Sequence, residues 1–124
     1  MPVADEHNET SITMNPQDKK DVEWRFTVSG DYNQYSYQWY KKNDVGTSTF
    51  DALTNSKGIM AIENGAIVAK LNKADLADIN SVANFKLAIT GKKAIPGATQ
   101  EVGVIPWDSN KFKTLTINFD TVGG

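Results

Sequence analysis

Hydrophobic and polar positions alternate with a period of two through most of this chain. In the clearest case Val22, Trp24, Phe26 and Val28 share one face, while Glu23, Arg25, Thr27 and Ser29 share the other. Successive side chains leave a strand on opposite faces, so this alternation predicts a half-buried antiparallel strand. Ile12 and Met14 predict a short strand over 11–14, closed by a turn at Asn15-Pro16-Gln17-Asp18. Residues 35–42 are strongly β-prone, with Tyr35, Tyr37 and Trp39 on one face and Ser36, Gln38 and Tyr40 on the other.

Asn43-Asp44-Val45-Gly46 reads as a turn. Residues 47–58 are polar and Ser/Thr-rich, with Phe50 and Leu53 as anchors. Ile59, Met60 and Ile62 then predict a short strand before Asn64-Gly65, a strong hairpin signal. Ala66–Leu71 forms the strand after it. Residues 72–78 are helix-like but too short for an independent helix, so they read as a helical turn. Phe85, Leu87 and Ile89 mark a further strand. Pro96-Gly97 is a turn. Val102 and Val104 mark a strand that Pro106 ends, and Leu115, Ile117 and Phe119 mark the last. About eight short strands, regular turn signals and no long amphipathic helix predict an all-β sandwich or barrel.

The chain has 124 residues, enough for one domain with its own core. Residues 1–10 hold Asp5, Glu6 and Glu9 with little to bury, and read as a flexible acidic tail. Their start, MPVADEHNET, has no basic and then apolar run, so no secretory signal is expected. The sequon at Asn8-Glu9-Thr10 then reads as a chance match. No stretch is long and apolar enough to predict membrane insertion.

Charge narrows the partners. Thirteen Lys and Arg against fifteen Asp and Glu leave a net charge of −2, which argues against nucleic acid. Cysteine is absent and histidine occurs once, at His7. Thiolate metal sites, Cys nucleophiles and disulfides are therefore excluded. Asp75 and Asp78 read as solvated acids, since no pattern brings carboxylates together as acid–base work requires. No enzyme activity and no cofactor are expected.

Three segments carry a family resemblance. Phe26-Thr27-Val28-Ser29-Gly30 resembles the second-strand signature of immunoglobulin-like domains, with Phe26 where many carry cysteine. Tyr37-Gln38-Trp39-Tyr40-Lys41-Lys42-Asn43 resembles their third-strand core around a buried tryptophan. Asp78 through Leu87 resembles the run into the sixth strand, with Leu87 at the second cysteine position and Phe85 at the corner tyrosine. The resemblance implies an immunoglobulin-like antiparallel β-sandwich over 11–106, with a core of Trp24, Phe26, Trp39, Phe85 and Leu87. A thiol-free core suits synthesis in a reducing cytoplasm.

The cysteine-free form resembles the immunoglobulin-like modules of tailed-phage capsid, tail and fibre surfaces. It implies a capsid decoration or other virion surface protein, with capsid or other virion subunits as partners. Residues 107–124 then stand out as an extra C-terminal strand. They either cap an edge of their own sandwich or form an arm that docks on a neighbour, with Trp107, Leu115, Ile117 and Phe119 as anchors. A cell-surface glycan is the alternative ligand, with Tyr32, Tyr35 and Tyr40 as stacking platforms.

Overall fold

A computed structural model describes residues 3–29, 32–43, 49–93, 102–109 and 113–120, with 102–107 described by backbone alone. The turns expected at 43–46 and at Pro96-Gly97 fall largely or wholly outside these residues, as does the side chain of Trp107. Strands appear in the order β1 (Val3–Asp5), β2 (Ser11–Met14), β3 (Val22–Val28), β4 (Gln34–Lys42), β5 (Phe50–Met60), β6 (Ala66–Leu71), β7 (Ala83–Lys93), β8 (Val102–Asp108) and β9 (Leu115–Phe119). The helical turn is a single 3-10 turn, Lys73–Leu76, capped by the Asn72 side chain on the Ala74 N–H.

Two sheets face each other. The smaller has the order β1-β3-β6, and the larger β2-β9-β7-β4-β5 with β8 also on β7. Period-two alternation buries one face of each. Val22, Trp24 and Phe26 on β3, Ile67, Ala69 and Leu71 on β6, and Phe85, Leu87 and Ile89 on β7 all point into the space between. Trp24, Phe26, Trp39, Phe85 and Leu87 are each buried in this core. Trp39 pairs with Leu87 across β4 and β7, and Trp24 stands edge-on to both Phe26 and Trp39. Apolar contact between the sheets thus holds them together at the positions where the family resemblance places a disulfide.

Several expectations need correction. The segment 1–10 contains a strand: β1 pairs with β3 from Val3↔Val28 to Asp5↔Phe26, and Val3 is buried. Lys113 clamps the rest of this segment. Its ammonium bonds the Asn8 carbonyl, pairs with the Asp5 carboxylate and lies 5.0 Å from the Trp24 ring centroid. The Trp24 indole N–H donates to the Glu9 carbonyl. Acidic composition suggested a tail, but backbone pairing and one lysine order the segment.

The polar stretch 47–58 contains most of a long strand, β5. It reads poorly because it is an edge strand that leaves the β4 ladder midway. Gln38 pairs with Lys57 but Tyr40 pairs with Ala52, so residues 53–56 form a bulge. The Gln38 side-chain amide fills the gap, donating to the Trp39 and Leu53 carbonyls. The bulge reaches the 3-10 turn. Ser56, fully buried, donates its hydroxyl to Asp75 at 2.5 Å and accepts the Asn72 N–H at 2.9 Å. Asp75 also accepts from the Asn55 backbone and side chain. It is therefore a structural acid rather than a solvated one.

Asn64-Gly65 makes the expected tight turn, with φ of +53° and +75° and reciprocal bonds between Glu63 and Ala66. The strands on either side then part, β5 into the larger sheet and β6 into the smaller. The turn is a corner between sheets rather than the tip of a paired hairpin.

The C-terminal region is integral to the sandwich. β4 occupies one flank of β7, so β8 and β9 follow each other along the other flank. β9 also pairs in parallel with β2. The boundary expected at 106/107 falls inside β8, and Pro106 lies within that strand opposite Thr90. Among the described residues β8 pairs with β7 alone, an edge position where proline is tolerated. Where β8 ends, the buried Ser109 hydroxyl accepts the Leu87 N–H at 2.6 Å in place of a ladder carbonyl. Of the two alternatives for this region, self-pairing is the one the structure contains.

Candidate binding face

Three of the four nominated docking anchors, Leu115, Ile117 and Phe119, face inward. Leu115 and Ile117 are fully buried and Phe119 nearly so, all packed in the core of their own domain. They cannot serve a neighbouring subunit without unfolding β9. The backbone of Trp107 pairs with Ile89 on the edge of the larger sheet.

The nominated tyrosines are not brought together. Tyr35 is 1% exposed, so its ring is core. Burial and the neighbouring Tyr32 push its phenol above the ordinary tyrosine range. Among the described residues the Tyr35 hydroxyl has no hydrogen-bond partner, nor has the Trp39 indole nitrogen. Tyr32 is half-buried beside the core near the start of β4. Tyr40 lies on the opposite side of β4 from Tyr35, because the two are an odd number of residues apart. No common stacking platform for a sugar is formed by the three.

Tyr40 has different neighbours, which the sequence did not reveal. Its cross-strand partner on β7 is Lys86, and Phe50 on β5 pairs with Lys42 one pleat away. The Lys86 ammonium lies 5.3 Å from the Tyr40 ring centroid and 4.8 Å from that of Phe50. The Asp108 carboxylate approaches it at 3.9 Å. The result is two aromatic rings on the outward face of the larger sheet that share one lysine, whose charge Asp108 offsets. Only register could locate this cluster, since its members come from four strands. Farther along the face, Ile59 is 85% exposed opposite Ser36.

A second feature lies at the opposite edge. A cleft of about 560 Å³ opens between β2 and the start of β3, floored by Ile12, Met14, Val22 and Trp24. Asp21 on its rim accepts the Lys73 N–H, which holds its carboxyl below the ordinary range. Desolvation opposes that shift and Lys70 reinforces it. Among the described residues no cluster of His, Cys, Asp and Glu is placed to hold a metal ion.

Comparison with known proteins gives a fold. No family model matches the chain, and no curated protein matches it. Among solved structures, that of murine CRIg, an immunoglobulin-like domain, is similar over 96% of this chain and 98% of its own, with a TM-score of 0.53 and 12% identity. The larger sheet extended by β5 follows the variable-type arrangement of such domains. The chain has an immunoglobulin-like β-sandwich fold.

Proposed function

We propose that this domain is a non-enzymatic interaction module that docks on another protein through the outward face of its larger sheet. The carrying observation is the Tyr40–Lys86–Phe50 cluster. Aromatic side chains set in a sheet face contribute contact area at low entropic loss, and such residues concentrate at protein interfaces. The fold supports the same reading, since immunoglobulin-like domains commonly mediate protein–protein contacts and are typically non-catalytic.

The finer reading is a virion surface module, an auxiliary protein decorating the capsid of a tailed phage. Its support is the cysteine-free core and the resemblance of the strand signatures. Electron microscopy of the particle from its source tests this. Density for the domain on the shell supports the reading, with loss of that density in a Tyr40→Ser, Phe50→Ser double variant. Wild-type protein found only free in the lysate overturns the virion reading. Retained density in a folded double variant overturns the assigned face.

A further inference from the structure

We propose that the exposed edge of β3 at Glu23, with the cleft beside it, receives an extended segment of another chain whose residues alternate basic and apolar. The edge is built and then left open. β1 pairs along β3 as far as Phe26, and the Glu6 N–H reaches the Arg25 carbonyl at 3.2 Å. At His7 the chain turns away with φ +54°, and the Asn8 side chain closes the ladder by bonding both the N–H and the carbonyl of Arg25.

In an antiparallel strand the backbone groups of alternate residues point to the same side. Those of Glu23 therefore point where those of Arg25 do, away from β6. Among the described residues they meet no partner there. Val22 and Trp24 bond β6 instead. On the far side of the cleft β2 pairs with β9, and among the described residues no strand pairs with its other edge. Unpaired edges are ordinarily covered, bulged or blocked, and an open one is a site for strand addition.

Two features define the occupant. The cleft lining carries Glu9, Asp18, Asp21 and Glu23 against Lys20 alone among the lysines. Asp18 pairs with Lys20 and Asp21 with Lys70, while among the described residues Glu9 and Glu23 form no ion pair; Lys70 stands across from Glu23 on the β6 side, and an added strand takes the other side. A second copy of this chain, net −2, would set the same acidic edge against itself. Side chains opposite Val22 and Trp24 would point down onto the apolar floor, whereas the one opposite Glu23 would point out beside its carboxylate. Alternating apolar and basic residues satisfy both faces.

Isotope-labelled protein titrated with capped (Lys-Val)3, (Glu-Val)3 and (Lys-Ser)3 peptides tests this by NMR. Only (Lys-Val)3 should shift the amides of Thr13 and Val22–Trp24 and slow hydrogen exchange at Glu23. Added salt should weaken it. Glu23→Lys should weaken binding by about fivefold or more, as expected when an attraction becomes a repulsion. Glu23→Pro removes the open donor without touching the β6 ladder and should abolish the shifts while leaving the remaining spectrum folded. The inference fails if (Lys-Val)3 leaves Glu23 exchange unchanged. It also fails if all three peptides bind alike, if the shifts map to the Lys86 face, or if folded Glu23→Lys binds as the wild type does.

Discussion

Trp24 and Trp39 meet edge to face between the two sheets, with ring centroids 5.0 Å apart and planes inclined at 66°. Both are essentially fully buried. This contact joins β3 to β4 where the family resemblance implies a covalent bridge nearby, so packing carries the cross-sheet link. Truncating either ring, as Trp24→Ala or Trp39→Ala, should destabilise the domain by about 3–5 kcal/mol. A double-mutant cycle with leucine substitutions, which remove the ring at each site, should show a coupling of about 0.5–1.5 kcal/mol. Urea unfolding followed by circular dichroism provides the measurement, and additive losses would show that the rings pack independently.

Tyr35 predicts an alkaline instability. Its phenol is pushed above the ordinary value of 10.0 by burial first and by Tyr32 second. In the window between the unfolded and the folded value, the unfolded chain has lost the proton and the folded chain keeps it. Stability contributed by the neutral ring is thus complete below pH about 10 and lost as pH rises through the folded value. Tyr35→Phe should remove that part of the decline. It should also alter stability at neutral pH by less than about 1 kcal/mol, because the hydroxyl has no partner among the described residues. Unfolding at matched urea from pH 8 to pH 11 checks both statements.

Gly91 is the partner that makes room for this ring. A Cβ at that position would lie 2.8 Å from Tyr35 Cε1, and the buried ring has nowhere to retreat. Gly91→Ala should destabilise by about 1–3 kcal/mol through overpacking. Thermal unfolding of Gly91→Ala, alone and combined with Tyr35→Leu, checks this. The smaller side chain should recover part of the loss.

β9 offers a test of self-pairing against docking. Leu115→Ala and Ile117→Ala should each destabilise the isolated domain by about 2–5 kcal/mol, since both side chains are fully buried in it. An arm reserved for a neighbour would give unchanged unfolding and a changed oligomeric state. Urea titration with light scattering on the same samples distinguishes the two.

The Ser56–Asp75 hydrogen bond ties the β5 bulge to the 3-10 turn. Ser56→Ala leaves the buried end of the Asp75 carboxylate and the Asn72 N–H without this partner. It should destabilise by about 1–3 kcal/mol. Hydrogen exchange should rise selectively at Asn55 and Asn72, the amides bonded to this network. Uniform acceleration across the domain would show that the bond has no local role.

Strands with one buried and one exposed face were legible from sequence, because pleating converts that asymmetry directly into alternation. Val22–Val28, Ala66–Leu71 and Leu115–Phe119 are such cases. β5 was mostly illegible: it is an edge strand with a bulge, and its buried residues, Ser56 and Met60, do not form an alternating series. Of the candidate residues, Trp24, Phe26, Trp39, Phe85 and Leu87 were placed in the core, whereas Tyr35, Leu115, Ile117 and Phe119 were assigned to binding or docking although they too are buried. The outward cluster could not be nominated, since Lys86 meets Tyr40 and Phe50 only through cross-strand register.

The sequence by itself determined the all-β class, because period and side-chain polarity are local quantities, and its resemblance to immunoglobulin-like domains supplied the sandwich and the core of Trp24, Phe26, Trp39, Phe85 and Leu87. Tertiary structure alone decided where each edge is closed. Residues 115–119 pair with β7 and β2 inside their own sandwich, residues 3–5 cover part of β3, and among the described residues no strand covers β3 at Glu23. Backbone hydrogen-bonding capacity is nearly the same at every residue, so nothing in a strand's own composition says which neighbour will satisfy it.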